Sequence, residues 1–328
     1  MRSFCYRITF SILFFSFLFA RDYRKDFEHT FDVSKGAILI IEAGDGNVDI
    51  RTWDKDQIKV NVTYNAQIKS SAQNDDEAFD VEFSQNGDRC YVTGHEKRRQ
   101  IFGYFSINYI EYRYEISIPQ YVNLDILTDD GNIKVDDIKA DLKIHTDDGN
   151  ILLKRINALR TDIRMKDGDA HIETLTGELD IRCDDGDLEL SDLDVTDAEI
   201  SGADGRISIK DSKGNFYVNS DDGNIDMNGI NAKILDVRSQ DGDVDILFSG
   251  NENPEIKIET QDGRATLELE QPVSASFSLE TDDGHIRCQV DDADISRESK
   301  RYVKGELKNG DGRIEIRTND GPITFRSR

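Results

Sequence analysis

The chain has 328 residues, 66 of them acidic against 41 basic, giving a formal charge of −25 at neutral pH. Such an acidic excess argues against nucleic acid or an anionic membrane surface as the partner, since both would be repelled.

In chain order, Arg2 and Arg7 precede an apolar run from Ile8 to Phe19 that ends at Ala20, before the charged Arg21-Asp-Tyr-Arg-Lys25. A basic start, a short apolar stretch and a small residue predict a secretory signal peptide over residues 1–20. The run is short for a membrane span, and an uncleaved anchor is the alternative. Loss of Arg2 and Arg7 deepens the formal charge from −25 to −27. No later segment is apolar enough to cross a bilayer as a helix. The expected product is exported: periplasmic, cell-surface or secreted.

Residues 21–120 come next. Around Gly46, Leu39, Ile41, Val48 and Ile50 alternate in the register of the later repeats, with Trp53 at the corner, so this unit reads as the first coil. Ile58–Val62, Phe79–Phe83 and the stretch from Tyr109 to Pro119 alternate over longer runs. They predict an antiparallel β cap over the open edge of the repeats that follow, an edge that would otherwise invite aggregation.

From Gly131 to Gly242, turns built mainly on Asp-Gly recur at Gly131, Gly149, Gly168, Gly186, Gly205, Gly223 and Gly242, spaced alternately by 18 and 19 residues. Gly263, Gly284, Gly312 and Gly321 continue the series more loosely. Five residues before the glycine stands an aliphatic column, Ile126, Ile144, Ile163, Ile181, Ile200, Val218, Val237, Ile258 and Leu279. Apolar residues recur two and four after it, as in Ile133/Val135 and Ile151/Leu153, with charged and polar residues between. Period-two alternation on both arms makes each arm a strand with one dry face. One unit of this length buries too little to offset its ordering entropy, so stacking is obligatory. The reading is an all-β fold: a single-stranded parallel β-solenoid, or β-helix, of ~18–19-residue coils over residues 121–328, rising ~4.8 Å per coil.

Glycine suits such corners because it accepts positive φ, and aspartate because it hydrogen-bonds its own backbone. Two before the glycine the residues run Asp129, Asp147, Lys166, Asp184, Ala203, Asp221, Gln240 and Gln261. If all turns share one column, this alternation relieves repulsion between like charges ~4.8 Å apart. A 37-residue coil with two turn columns is the alternative.

Phe31-Asp-Val-Ser-Lys-Gly36 leading to Gly44-Asp-Gly-Asn-Val-Asp-Ile-Arg-Thr-Trp53, the Ile116-Ser-Ile-Pro119 entry, the Asp-Gly-Asn-Ile units and the closing Gly305–Phe325 stretch together resemble the bacterial "putative adhesin" family of exported β-strand-repeat proteins. The resemblance covers nearly the whole mature chain. It implies a β-helical fold and an envelope or surface location. The family is largely a domain of unknown function, so no catalytic residues carry over. The chain departs from it in its acidity and its frequent Asp-Asp-Gly turns.

Candidate chemistry is sparse. The turn pairs Asp147/Asp148, Asp184/Asp185 and Asp221/Asp222, with Asp129/Asp130 and Asp282/Asp283, could collect Ca²⁺, which takes roughly six to eight oxygens. Their spacing fits neither an EF-hand nor a nine-residue calcium β-roll, and the competing reading is purely structural turns. His145, His171 and His285 point outward from different coils and form no ligand cluster. Cys183 and Cys288 fall on inward columns too many coils apart to be bridged, and with Cys90 they are expected as buried thiols. No Ser-His-Asp elbow, phosphate loop or paired-cysteine motif occurs, and no cofactor is implied.

One basic, aromatic island breaks the acidic background: Lys97, Arg98 and Arg99, followed by Phe102, Tyr104, Phe105, Tyr109, Tyr112 and Tyr114. Cations flanking aromatic platforms suit sugars or anionic polymers. The competing reading is a capping strand whose aromatics cover the end of the solenoid. Two functions follow. One is a non-enzymatic envelope or surface protein, an adhesin or scaffold, binding an envelope polymer or protein partner. The other is a carbohydrate-active β-helix enzyme working through paired aspartates. The first is preferred because such enzymes wall their clefts with long loops, and these coils leave little slack.

Overall fold

The computed structural model describes residues 20–70, 79–96 and 105–328, so the expected signal peptide lies outside the described residues but for Ala20. Every regular element among them is a strand. The first seven are β1 (Ala20–Asp32), β2 (Ile38–Glu42), β3 (Asn47–Trp53), β4 (Gln57–Ser70), β5 (Phe79–Asn86), β6 (Arg89–Glu96) and β7 (Phe105–Pro119). The repeats begin with β8 (Asn123–Asp130) and β9 (Ile133–Asp136).

Each repeat contributes one strand before its turn and one after, and like strands of neighbouring repeats pair in parallel. Ile144 faces Ile126 on one side and Ile163 on the other; Ile181 lies between Ile163 and Ile200. The series continues through Val218 and Val237 to Ile258. Neighbours in this register are one Asp-Gly unit apart, which selects the 18–19-residue coil over the 37-residue one. The expected aliphatic columns are the core: Ile126, Ile144, Ile163, Ile181 and Ile200 are fully enclosed, as are Ile133, Val135, Leu153, Leu188 and Ile207 or nearly so.

The alternation of 18 and 19 residues originates at the corner opposite the turns. Register shifts fall there, between Asn157 and Arg160, Gly177 and Leu179, Asp194 and Asp197, and Gly214 and Phe216. Long corners hold two residues, Ala158-Leu159 and Val195-Thr196; short corners hold one, Gly177 or Gly214, both at positive φ. Stacking long on short puts the extra residue outside, and Leu159 is accordingly 85% exposed. Left-handed backbone at non-glycine residues also collects on this side, at Asp137, Arg155, Thr174, Asp192 and Asp211.

At the turns themselves, glycine is required by close approach more than by φ. A Cβ on Gly205 would stand 1.8 Å from the carbonyl oxygen of Gly186, and one on Gly223 1.8 Å from that of Gly205. Only Gly149, Gly168 and Gly186 of the stacked turns have positive φ, so the conformational reason expected from sequence covers a minority of them. The column runs Gly46, Gly131, Gly149, Gly168, Gly186, Gly205, Gly223, Gly242, Gly263, Gly321, Gly284 in spatial order. Gly312 is not among them; it opens a strand, Gly312–Thr318, and its nearest neighbours are Pro254 and Ser274.

That order exposes two departures from one parallel solenoid in chain sequence. The final unit, Gly312–Thr318 and Ile323–Ser327, is inserted between the units of Gly263 and Gly284. The intervening hairpin, Ala293–Glu298 with Tyr302–Leu307, then pairs antiparallel with Ala275–Thr281. Antiparallel strands therefore close this end as well as the expected one. At the N-terminal end β2 and β3 stack on β8 and β9, and β6 and β7 stack in turn on β2 and β3, all in parallel. Antiparallel pairs β1–β4, β4–β7 and β5–β6 complete the cap. Within it Tyr64 stacks on Phe79 and on Tyr112, and the Phe79 and Tyr112 rings meet at a tilt.

Candidate binding surface

The turn edge is the most regular surface of the molecule. Immediately before each stacked glycine stands an exposed aspartate: Asp45, Asp130, Asp148, Asp167, Asp185, Asp204, Asp222, Asp241, Asp262, Asp320 and Asp283 in spatial order. Parallel register brings them side by side, with Asp148 between Asp130 and Asp167. Residual desolvation, then the charge of Asp148 and a hydrogen bond shared with it, then the charges of Asp185 and Asp184 push the exposed Asp167 carboxyl up from its ordinary value. Asp45 is pushed up in the same way, by burial first and then by Glu96, Asp130 and Asp129.

The column one residue earlier carries the compensation expected from sequence. Lys166 Nζ lies 2.7 Å from Asp147 Oδ2, and Gln240 Nε2 donates to Asp221 Oδ1 at 2.6 Å. Asp147 and Asp221 thus have partners in the next coil. Asp148, Asp184, Asp185 and Asp222 are exposed. Among the described residues, no three His, Cys, Asp or Glu side chains are grouped so that they could hold a metal ion.

One residue after the glycine is a ladder that sequence reasoning missed. Asn47 Oδ1 accepts from the backbone N–H of Asn132, Asn132 from Asn150, Asn150 from Asp169, Asp169 from Asp187 and Asp187 from Arg206, all at 2.9–3.0 Å. Asn224 and Asp243 resume it toward Asp243 and Arg264. The recurrence of Asn or Asp at this position was the available signal. Ser220, Thr260 and Thr318 line the inner side of the turns, each donating its hydroxyl to the carbonyl of its turn glycine. Cys183 fills the equivalent position and, like Cys90, is buried. Burial pushes these thiols up to about 12 and about 11. Cys288, expected to be fully inward, is only half-buried because the second strand of its unit, Ile286–Gln289, pairs on one side alone.

The described strands that flank the basic island in sequence are β6, which runs to Glu96, the like-charged neighbour of Asp45, and β7, which starts at Phe105. Lys97, Arg98, Arg99, Phe102 and Tyr104 lie outside the described residues. Tyr109 is 48% exposed on the part of β7 that pairs with β4. Tyr112 and Tyr114 are core residues instead of a surface platform. The Tyr112 hydroxyl donates to Glu96, and the Tyr114 ring lies under Gly46. The island's aromatics therefore divide: those nearer Pro119 cap the stack and Tyr109 faces solvent. His145 and His171 pair singly with Asp147 and Glu189 on the outer faces. No helix among the described residues is long and apolar enough to cross a membrane.

The model of the Toastrack DUF4097 family matches the chain over residues 38–210 and again over 184–326. No curated protein matches. Similar solved structures include a putative adhesin from Parabacteroides distasonis, 11% identical, with 93% of this chain and 97% of that one covered at a TM-score of 0.39. Another is a putative adhesin from Bacteroides fragilis, 10% identical over 93% and 97% at a TM-score of 0.34. A putative cell adhesion protein from Clostridium sporogenes is 12% identical over 93% and 100% at a TM-score of 0.24.

Proposed function

We propose, for a chain that belongs to the Toastrack DUF4097 family, a non-enzymatic role as an exported envelope or surface protein, an adhesin or scaffold that binds an envelope polymer or protein partner. The observation carrying this reading is the regularity of the stack. Between Gly131 and Gly242 each coil returns to register within 18 or 19 residues, which spends the chain on a repeating face and leaves no loop to wall a cleft. The accompanying organisation is a signal peptide over 1–20, a first coil plus an antiparallel β cap over 21–120 and a solenoid over 121–328.

The attachment site in this reading is the island at Lys97, Arg98, Arg99, Phe102, Tyr104 and Tyr109. A row of carboxylates along the turn edge repels an anionic polymer over a Debye length of about 8–10 Å. The three consecutive cations, flanked by aromatics, are the local exception on a chain of formal charge −25. Support for the reading is that β6 and β7, the strands flanking the island in sequence, both pair with the unit of Gly46, and that Tyr109 is exposed. Replacing Lys97, Arg98 and Arg99 with Ser is expected to weaken attachment to cells or isolated envelope in a salt-sensitive way. The melting temperature should stay within about 2–4 °C, as for surface changes below ~1 kcal/mol. Undiminished attachment by the triple variant removes the site; shortening of a polysaccharide by the purified protein removes the non-enzymatic reading.

A further inference from the structure

Where the cap meets the first coils, three stacked corners form a cleft of about 460 Å³. The β3–β4 turn supplies Trp53, Asp54, Lys55 and Asp56, the β7–β8 turn supplies Tyr121, and the corner after β9 supplies Asp137. Trp53 occupies the position that later coils give to Ile138, Ile156, Leu175 and Leu193, all of them buried. It is only partly buried, with its Nε1 donating to the Gln57 carbonyl at 2.7 Å, so the indole is fixed in place.

The ring is already covered by a cation. Lys55 Nζ lies 4.7 Å from its centroid, although Lys55 is flanked in sequence by Asp54 and Asp56. The rim carries three carboxylates, Asp54, Asp56 and Asp137, against this one ammonium. Its hydrogen-bonding groups are largely engaged with one another: the Tyr121 hydroxyl donates to Asp56 Oδ1 at 2.8 Å, and Asp137 Oδ2 accepts from Gln120 Nε2 at 2.6 Å and from Thr52 Oγ1 at 3.3 Å. A sugar would need those donors and acceptors free. A cation needs only the π face and the surrounding negative charge, and tryptophan is the best of the side chains at supplying the former.

We propose that this corner cleft binds a small organic cation, an alkylammonium or quaternary ammonium group, on the face of Trp53 in exchange for the Lys55 ammonium that rests there. The tethered lysine acts as an internal competitor, and the rim carboxylates hold the exchanging cation by charge. This site is independent of the basic island and of the role given to it.

Trp53 is the chain's single tryptophan, so its fluorescence reports on the cleft alone. Titration of the mature protein with tetramethylammonium chloride, at ionic strength held constant with NaCl, is expected to give a saturable change in Trp53 emission. Lys55→Ala is expected to bind about two- to fivefold more tightly, by loss of an exposed cation–π competitor. Asp54→Asn with Asp56→Asn is expected to bind more weakly, with circular dichroism unchanged. A response that does not saturate, an affinity in Lys55→Ala no higher than wild type, or a saturable response to neutral maltose with none to tetramethylammonium overturns the proposal.

Discussion

Replacing Gly205 with Ala tests the reason for the glycine column. The residue has no positive φ, so a purely conformational role predicts a neutral or slightly favourable change, since alanine restricts the unfolded chain by roughly 0.4–1 kcal/mol. Close approach predicts the reverse. The new Cβ would lie 1.8 Å from the Gly186 oxygen and 2.3 Å from its carbonyl carbon, where a carbon–oxygen contact needs about 3.3 Å. The coils must part by over an ångström beside the hydrogen bonds from Asp204 N to Asp184 O and from Leu188 N to Arg206 O. Overpacking costs about 1–3 kcal/mol and each of the two weakened bonds about 1, for a loss of about 3–5 kcal/mol. At about 2 °C per kcal/mol for a chain of this size, the melting temperature should fall by about 6–10 °C. Gly202→Ala is the control three residues away, where the nearest atom to a new Cβ is Ile207 Cδ1 at 3.4 Å. Its melting temperature should equal or exceed wild type by calorimetry. Equal melting temperatures for the two variants would refute the contact argument.

Ile181→Asp should abolish the cooperative transition in circular dichroism, because it buries an unpaired carboxylate between Ile163 and Ile200; a folded variant with wild-type melting contradicts the enclosed core. Asp167→Asn tests the carboxylate row. A carboxyl whose folded pKa is raised favours the fold when protonated and loses that contribution as pH rises through the folded value. The variant should therefore melt higher than wild type at neutral pH, with the difference vanishing below the ordinary aspartate range and shrinking in high salt; a gain that grows on acidification has the wrong sign. If the Asp-Asp-Gly turns are structural, millimolar Ca²⁺ should raise the melting temperature no more than Mg²⁺ at matched ionic strength. Saturable calorimetric binding of Ca²⁺, with a stoichiometry near the number of these turns, would make Asp147, Asp148, Asp184, Asp185, Asp221 and Asp222 ligands after all.

The coils were legible because burial follows a period of two, and Ile144, Ile163 and Ile181 announce an inward column without help from distant residues. Asp-Gly marked the turns for a related reason: a column of close contacts admits one residue type at every level. Its cause was less visible, since positive φ and a missing Cβ both select glycine, and only the distance from Gly205 to Gly186 separates them. The far corners were not legible because a bulge such as Ala158-Leu159 against Gly177 is a relation between neighbouring coils and has no local signature. The same limit hid the order of the last units. Nothing near Gly312 or Gly321 states that their strands enter between Gly263 and Gly284, a choice made by which edges remain unpaired. Tyr112 and Tyr114 could not be told from Tyr109 by composition; the strand's alternation, read against β4 and β3, separates them. Trp53 was taken for a simple corner residue, and its partly open face became apparent only beside Lys55 and Tyr121.

Spin labels at Asp130→Cys and Asp262→Cys, with Cys90, Cys183 and Cys288 changed to Ala, test the one-unit-per-coil stack most directly. Their turn glycines, Gly131 and Gly263, are separated by the steps through Gly149, Gly168, Gly186, Gly205, Gly223 and Gly242. At ~4.8 Å per step, double electron–electron resonance should find a narrow distribution near ~34 Å. A separation of about half that, near ~17 Å, would mean two units per coil and two turn columns, and would contradict both the aspartate row and the regular stack that carries the non-enzymatic reading.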